Sequence, residues 1–177
     1  MKQYYYLIAS LPMLEFGMKV PFSYERFLSS CREQLDRHDM ETIESSSIFP
    51  SEDARGTSST LREWKKFDTA LRNELVKVRA AKYSKDPQRY IRGDGHIDHS
   101  ITTFVQWAVN QDSPLESELA LDRMRWEKIE DLRRGHYFDI DYLITYALHL
   151  QMLERWERIN ADDGMEALGR LLEKETA

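Results

Sequence analysis

The sequence predicts an all-α protein of about six helices, packed as an irregular helical bundle. Its longer segments carry apolar residues at helical spacing, and the stretch from Asp139 to Ile159 is apolar over much of its circumference. With 7 Gly and 5 Pro in 177 residues, the chain lacks the many tight turns that a β-sandwich or barrel requires. We therefore expect a single helical domain over residues 1–177, with irregular segments near 45–60 and 84–100.

The chain opens with an apolar, aromatic run from Tyr4 to Ile8. Its length and composition suit a strand, but no partner strand follows, so we expect a short N-terminal segment, extended or helical, packed on the core. Ser23 is then placed to cap a helix whose apolar stripe includes Phe27 and Cys31. Cys31 is interpreted as a buried small hydrophobe rather than a reactive thiol, because no His or Lys stands near it in sequence.

A long helix is predicted from about Leu61 to Tyr83, with a narrow apolar stripe and basic remaining faces. Residues 61–85 contain eight Lys or Arg and three acidic residues, a net +5, so the rest of the chain carries −11 of the total of −6. The simpler interpretation is a solvated face. The functional alternative is a docking face for an acidic surface. Its candidate partner-binding residues are Lys65, Lys66, Arg72 and Arg79.

The segment 84–100 brings Asp94, His96, Asp98 and His99 close together in sequence, as a metal site would. Their spacing matches neither a calcium-binding loop nor a helical zinc motif, and the flanking glycines favour a turn. We therefore predict no metal site here. His96, Asp98 and His99 remain weak candidates, and the next helix carries Ile101 on its apolar face.

Two helices dominate the C-terminal half of the sequence. Ser113 caps the first, which runs to Arg134 and is expected to bury Leu115, Leu119, Trp126 and Ile129. Gly135 ends that helix and Asp139 caps the second, which we expect to be central. A last short helix is predicted after Gly164. The side chains expected to be buried in one core are Trp126, Leu143, Ala147, Leu150 and Trp156.

No motif of reactive chemistry is present in the sequence. The chain has no GxSxG, glycine-rich phosphate loop, CxxC or paired histidines on one helix, so we expect no catalytic residue and no cofactor. The net charge of −6 argues against nucleic acid as a partner. The N-terminal apolar run is too short to span a bilayer and has no signal-peptide cleavage pattern. One cysteine fits a reducing, cytoplasmic setting.

Two stretches carry a family resemblance. The opening YYYLIASLPML, together with MRWEKIEDLRR and GHYFDIDYLITYALHLQMLERW, resembles an uncharacterised bacterial family encoded with V-type ATPase subunits. That family is similar to the C-type stalk component of V-type ATPases. The resemblance implies an all-helical, non-catalytic subunit that links the central stalk to the membrane rotor ring. It also implies a cytoplasmic location, peripheral to the inner membrane through partner subunits, without direct membrane insertion.

Two other functions remain open at this point. A helical chaperone or adaptor that binds a peptide partner would show a deep apolar groove. A small metal-dependent hydrolase would require His96, Asp98 and His99 to converge with further ligands.

Overall fold

A computed structural model describes residues 3–51, 58–93 and 99–160. Within these ranges the chain forms seven α-helices and one 3-10 helix, Pro87–Arg89, and no β-strand. The predicted all-α class is therefore confirmed. The helices are α1 (Tyr5–Ser10), α2 (Tyr24–Arg32), α3 (Arg37–Glu44), α4 (Ser59–Lys82), α5 (His99–Val109), α6 (Pro114–Arg133) and α7 (Ile140–Asn160).

Serine side chains begin three of these helices. Ser23, Ser58 and Ser113 each accept a hydrogen bond from the backbone N–H three residues later, which satisfies a donor that the first turn leaves unpaired. Ser23 and Ser113 are the caps that the sequence predicts. Gly135 follows α6 with φ +85°, a conformation in which glycine avoids the Cβ clash of other residues.

The chain divides into two compact units, one formed by Met1–Ile48 with Gly135–Ala177 and the other by Phe49–Arg134. The first unit contains α1, α2, α3 and α7, and the second contains α4, α5 and α6. Whether the chain is a single domain depends on whether the two units unfold cooperatively, and their division into compact units does not decide this. The single-domain prediction therefore stays a prediction.

In the first unit, α7 packs against α2 and α3. Its side chains are buried on most sides of the helix, as the broad apolar stripe predicts. Gln151 of α7 also binds the loop after α3, because its Nε2 donates to the Ser46 carbonyl at 2.9 Å and its Oε1 accepts from Ile48 N–H at 3.2 Å. The five side chains expected in the core are all buried; Trp126 lies in the second unit and the other four in the first.

The second unit has a core where α4, α5 and α6 meet. The narrow stripe of α4 supplies part of it, as expected for a helix that contacts neighbours along one seam. The predicted face of α5 also points inward, with Ile101, Val105 and Ala108 buried. The buried members of this core are Ala70, Leu71, Leu75, Ile101, Val105, Ala108 and Leu121.

The predicted inner face of α6 is partly wrong. Leu115 and Leu119 are exposed, at 36% and 44%, whereas Leu121 and Arg125 are buried. Arg125 donates to Asp68 of α4 at 3.2 Å and to Asp122 at 2.8 Å, and all three side chains are buried. A count of apolar residues places charged residues outside, so it misses a helix face that is buried through ion pairing.

Two short helices, α1 and α3, were not fully predicted from the sequence. The N-terminal run, expected to be extended or helical, forms the short helix α1, in which Leu7 and Ile8 are buried. Helix α3 was not predicted from the sequence; Asp36 caps it by accepting a hydrogen bond from the Asp39 N–H. The helix predicted after Gly164 lies outside the described residues. Among the helices described here, none combines the length and low charge needed to cross a membrane.

Candidate functional site

The chain reverses direction directly after the basic helix α4. Ser84 adopts a positive φ of 51°, and the Lys85 N–H donates to the Ala80 carbonyl at 2.9 Å, which closes the end of the helix. Asp86 then caps the 3-10 helix by accepting from Gln88 N–H at 3.0 Å. These local bonds direct residues 87–92 back along α4.

A reciprocal pair of hydrogen bonds attaches the returning segment to α4. Asn73 is buried; its Nδ2 donates to the Arg92 carbonyl, and its Oδ1 accepts from the Arg92 N–H, both at 2.9 Å. A carboxamide offers one acceptor and two donors on one side chain, so it can replace a backbone partner at an otherwise unpaired position. Gly93 follows with φ +65°, a conformation that favours glycine.

An arginine-lined cavity of about 530 Å³ lies between α4 and this returning segment. Arg72 and Arg79 line it from α4, seven positions apart, so they lie on one face of the helix. Arg89 and Arg92 line it from the returning segment. The other lining residues are Asn73, Leu75, Val76, Tyr90 and Ile91. The cavity volume is within the range of small-molecule sites.

The four arginines differ in their internal contacts. Arg72 forms an ion pair with the buried Asp68, Nε to Oδ2 2.7 Å, and its guanidinium also stacks over the Phe49 ring at 5.3 Å. Burial raises the pKa of Asp68, and the contacts with Arg125 and Arg72 act in the opposite direction. The ion pair with Asp68 therefore partly neutralises the positive charge that Arg72 could offer to a ligand in the cavity.

Arg79 and Arg89 are exposed, and neither side chain contacts an acidic group among the described residues. A guanidinium stays protonated at all physiological pH values and presents a planar set of donors that matches carboxylate and phosphate groups. The cavity can therefore bind an anionic group, but its arginines are unsuited to proton transfer.

The structure separates the four predicted partner-binding residues into two pairs. Arg72 and Arg79 line the cavity, whereas Lys65 and Lys66 lie nearer the start of α4 and are not among its lining residues. Arg89 and Arg92 were not predicted as site residues, because they fall in the segment 84–100, which was expected only to be irregular. Their signal was present, since two arginines three positions apart follow directly on a basic helix.

The weak metal candidates lie mostly outside the described residues. Of these, His96 and Asp98 fall in the range 94–98, and His99 is exposed at the start of α5. Another cluster, which was not predicted from the sequence, does bring three potential ligands together. His136, Asp139 and Asp141 offer ligand atoms that all lie within 4.8 Å of one another.

Cys31 has the environment predicted for it. The side chain is fully buried in the first unit, and burial raises the pKa of the thiol to about 12. A thiol with such a pKa is protonated and unreactive at neutral pH.

These residues define a helical protein with a cationic cavity in one of its units. A family model described as a protein of unknown function (DUF2764) matches residues 104–176, which is less than half of the chain. The match includes all of α6 and α7 and the loop that carries His136 and Asp139. No curated protein and no solved structure matches the chain.

Proposed function

We propose that this chain is a non-catalytic helical subunit of a bacterial V-type ATPase, linking the central stalk to the membrane rotor ring. The observation that carries the proposal is the arginine-lined cavity, whose guanidinium groups can bind an anionic group of a partner. The resemblance of YYYLIASLPML and GHYFDIDYLITYALHLQMLERW to the family encoded with V-type ATPase subunits supplies the assembly. The chain is then cytoplasmic and reaches the inner membrane through its partner subunits.

In this function the cavity receives an acidic segment of another stalk protein. Arg79 and Arg89 are the main contacts, because both are exposed and neither contacts an acidic group among the described residues. Arg72 is less suited to the role because it neutralises the buried Asp68. Charge attraction of this kind mainly accelerates encounter, and salt weakens it over a screening length of about 8–10 Å.

The first test is co-purification of the chain with the assembled ATPase from the native cell at low ionic strength. Absence of the chain from the purified ATPase would contradict the proposed function. Recovery with an unrelated protein instead would favour the alternative of a peptide-binding adaptor.

The second test measures association of the purified chain with the isolated stalk subcomplex. The double variant Arg79→Glu/Arg89→Glu should lower the association rate about tenfold at low salt and much less at high salt. Its matched control is Lys19→Glu/Arg26→Glu, which makes the same charge change at exposed positions of the other unit. Equal association rates for the two double variants would show that the cavity is not the docking site.

Neither double variant replaces Arg72. Replacing Arg72 with Glu would place a second carboxylate beside the buried Asp68, so reduced association could then reflect unfolding rather than lost docking. Circular dichroism of both double variants should match that of the unmodified chain, because Arg79 and Arg89 are exposed.

A further inference from the structure

Three side chains converge where α7 begins. His136 and Asp139 come from the preceding loop, and Asp141 comes from the first turn of the helix. His136 Nδ1 lies 2.7 Å from Asp139 Oδ2 and 3.8 Å from Asp141 Oδ2. Both aspartates are buried, and the His136 side chain is 29% exposed, so the cluster has one side open to solvent.

Helix capping accounts for one of the two carboxylates. Asp139 Oδ1 accepts a hydrogen bond from the Tyr142 N–H at 3.0 Å, as an N-cap residue does, and the positive end of the helix dipole stabilises its charge. Asp141 is different. The residue is 8% exposed, and its Oδ1 is buried without a hydrogen-bond partner among the described residues. A buried carboxylate oxygen without a donor or cation is unfavourable, so this atom indicates a missing partner.

We propose that His136, Asp139 and Asp141 bind a divalent transition-metal ion, with Zn²⁺ or Mn²⁺ as the expected kind. The ligand set is one imidazole nitrogen and two carboxylate oxygens. Imidazole favours transition metals over Mg²⁺ and Ca²⁺, which prefer sites made of oxygen atoms. Two carboxylates neutralise the charge of the ion, and solvent completes its coordination on the open side.

The distances within the cluster are compatible with this assignment. Two ligand atoms bound to one tetrahedral zinc ion at its usual bond lengths lie roughly 3.4 Å apart. The separations of His136 Nδ1 from the two carboxylates, 2.7 and 3.8 Å, lie on either side of that value. Metal binding requires His136 to give up its hydrogen bond to Asp139, with the ring proton on Nε2.

A protonated His136 is the competing explanation for the cluster. An imidazolium at this position would attract both carboxylates and would require no metal. It would still leave Asp141 Oδ1 unpaired, because its 3.8 Å contact with Asp141 is to Oδ2, whereas a metal ion can bind both oxygens of one carboxylate. The two explanations differ in whether the chain binds a metal ion with a fixed stoichiometry.

Phe138, which lies between His136 and Asp139 in the chain, connects the cluster to the N-terminal segment. The Phe138 carbonyl accepts from the Tyr4 N–H at 2.6 Å, and the Phe138 ring lies 4.6 Å from that of Tyr5. A metal ion that fixes residues 136–141 would therefore also hold the N-terminal helix against the loop that precedes α7. We expect added metal to raise the thermal unfolding temperature of the chain.

The full chain is first treated with EDTA to remove bound metal and then desalted. ZnCl₂ and MnCl₂ are then added in separate calorimetric titrations. The expected result is one ion bound per chain for at least one of the two metals. Asp141→Asn and His136→Gln should each weaken that binding at least tenfold. The matched controls are Asp112→Asn and His38→Gln, which change the same residue types at exposed positions outside the cluster and should bind as the unmodified chain does.

A second measurement does not depend on any variant folding correctly. Long-range ¹H–¹⁵N spectra of the unmodified chain should show the added metal shifting the Nδ1 resonance of His136, but not that of His38. Lack of saturable binding of either metal at micromolar concentrations would overturn the proposal. Unchanged binding by the folded His136→Gln and Asp141→Asn variants would do so as well. Neither outcome bears on the association tests for the stalk.

Discussion

Asp68 of α4 and Arg125 of α6, 57 positions apart in the chain, form a buried ion pair with a separation of 3.2 Å between Oδ1 and Nε. The same guanidinium donates to Asp122 at 2.8 Å and stacks over the Phe49 ring at 5.3 Å. The Arg125 guanidinium thus binds two carboxylates, and both carboxylates are buried away from water. This network joins two helices of the unit that carries the arginine-lined cavity, and Arg72 connects it to the cavity wall.

Removal of Arg125 should strongly destabilise the second unit. Arg125→Met removes the guanidinium that bridges the buried Asp68 and Asp122, while Arg72 stays beside Asp68, so we expect the free energy of unfolding to fall by about 3 kcal/mol, the low end for a broken buried pair. Urea unfolding followed by tryptophan fluorescence measures this change. The control is Arg123→Met, since Arg123 is exposed and lies 3.8 Å from Glu127; it should cost less than about 1 kcal/mol. If Arg125→Met lowers the free energy of unfolding by no more than Arg123→Met, the buried network does not stabilise the second unit.

The Asn73 side chain should control the position of Arg92. Asn73→Ala removes both hydrogen bonds to the Arg92 backbone, and we expect a loss of about 1–3 kcal/mol together with faster hydrogen exchange of the Arg92 amide. Hydrogen exchange measured by NMR tests the second effect. Asn110→Ala is the control, because Asn110 is exposed and bonds within the end of its own helix. Unchanged protection of the Arg92 amide in Asn73→Ala would contradict this account of how the cavity wall is held.

Core packing around α7 predicts a large cost for truncating Leu150. This side chain is fully buried, so Leu150→Ala should cost about 2–5 kcal/mol, the range for a cavity left in a packed core. Leu119→Ala is the matched control on α6. Leu119 is 44% exposed, and its truncation should change stability by about 0.5 kcal/mol or less. A comparable cost for both variants would argue against the inner face of α6 described above.

Labelling of Cys31 should report the opening of the first unit. Since the thiol has a pKa of about 12, only about one molecule in ten thousand carries a thiolate at pH 8, and the buried sulfur is also shielded from reagents. The folded chain should therefore react with a thiol reagent far more slowly than the urea-unfolded chain. The elevated folded-state pKa also means that the contribution of Cys31 to stability declines as the pH rises from 9 towards 12. Rapid labelling in the absence of urea would contradict the described burial.

The same reaction tests whether the chain is one cooperative domain. Trp64, Trp107 and Trp126 lie in the second unit, so tryptophan fluorescence reports mainly on that unit, whereas Cys31 lies in the first. Coincident urea midpoints from the two probes are expected for a single domain. Midpoints that differ would show that the two units unfold separately.

The sequence alone determined the helical class, the long helices and most of their caps. These properties depend on neighbours within a few positions, such as the apolar periodicity of α4 or the serine at position 113, so a local pattern is sufficient to specify them. The excess of positive charge in residues 61–85 was equally visible, as was the burial expected for Leu143, Leu150 and Trp156. The short helix α3 was missed because its apolar face, Met40 and Ile43, is too small to stand out from its polar surroundings.

The tertiary structure decided which of those charges belong to a site. Arg79 and Arg89 face one cavity because a reversal at Ser84 and the Asn73 bonds bring a second segment alongside α4. Arg125 is buried because carboxylates from two helices surround it. His136 meets Asp141 because a glycine turn places the loop beside the start of α7. A one-dimensional pattern assigns each charge to solvent, since the partners that make burial or convergence favourable are brought near only when the chain folds.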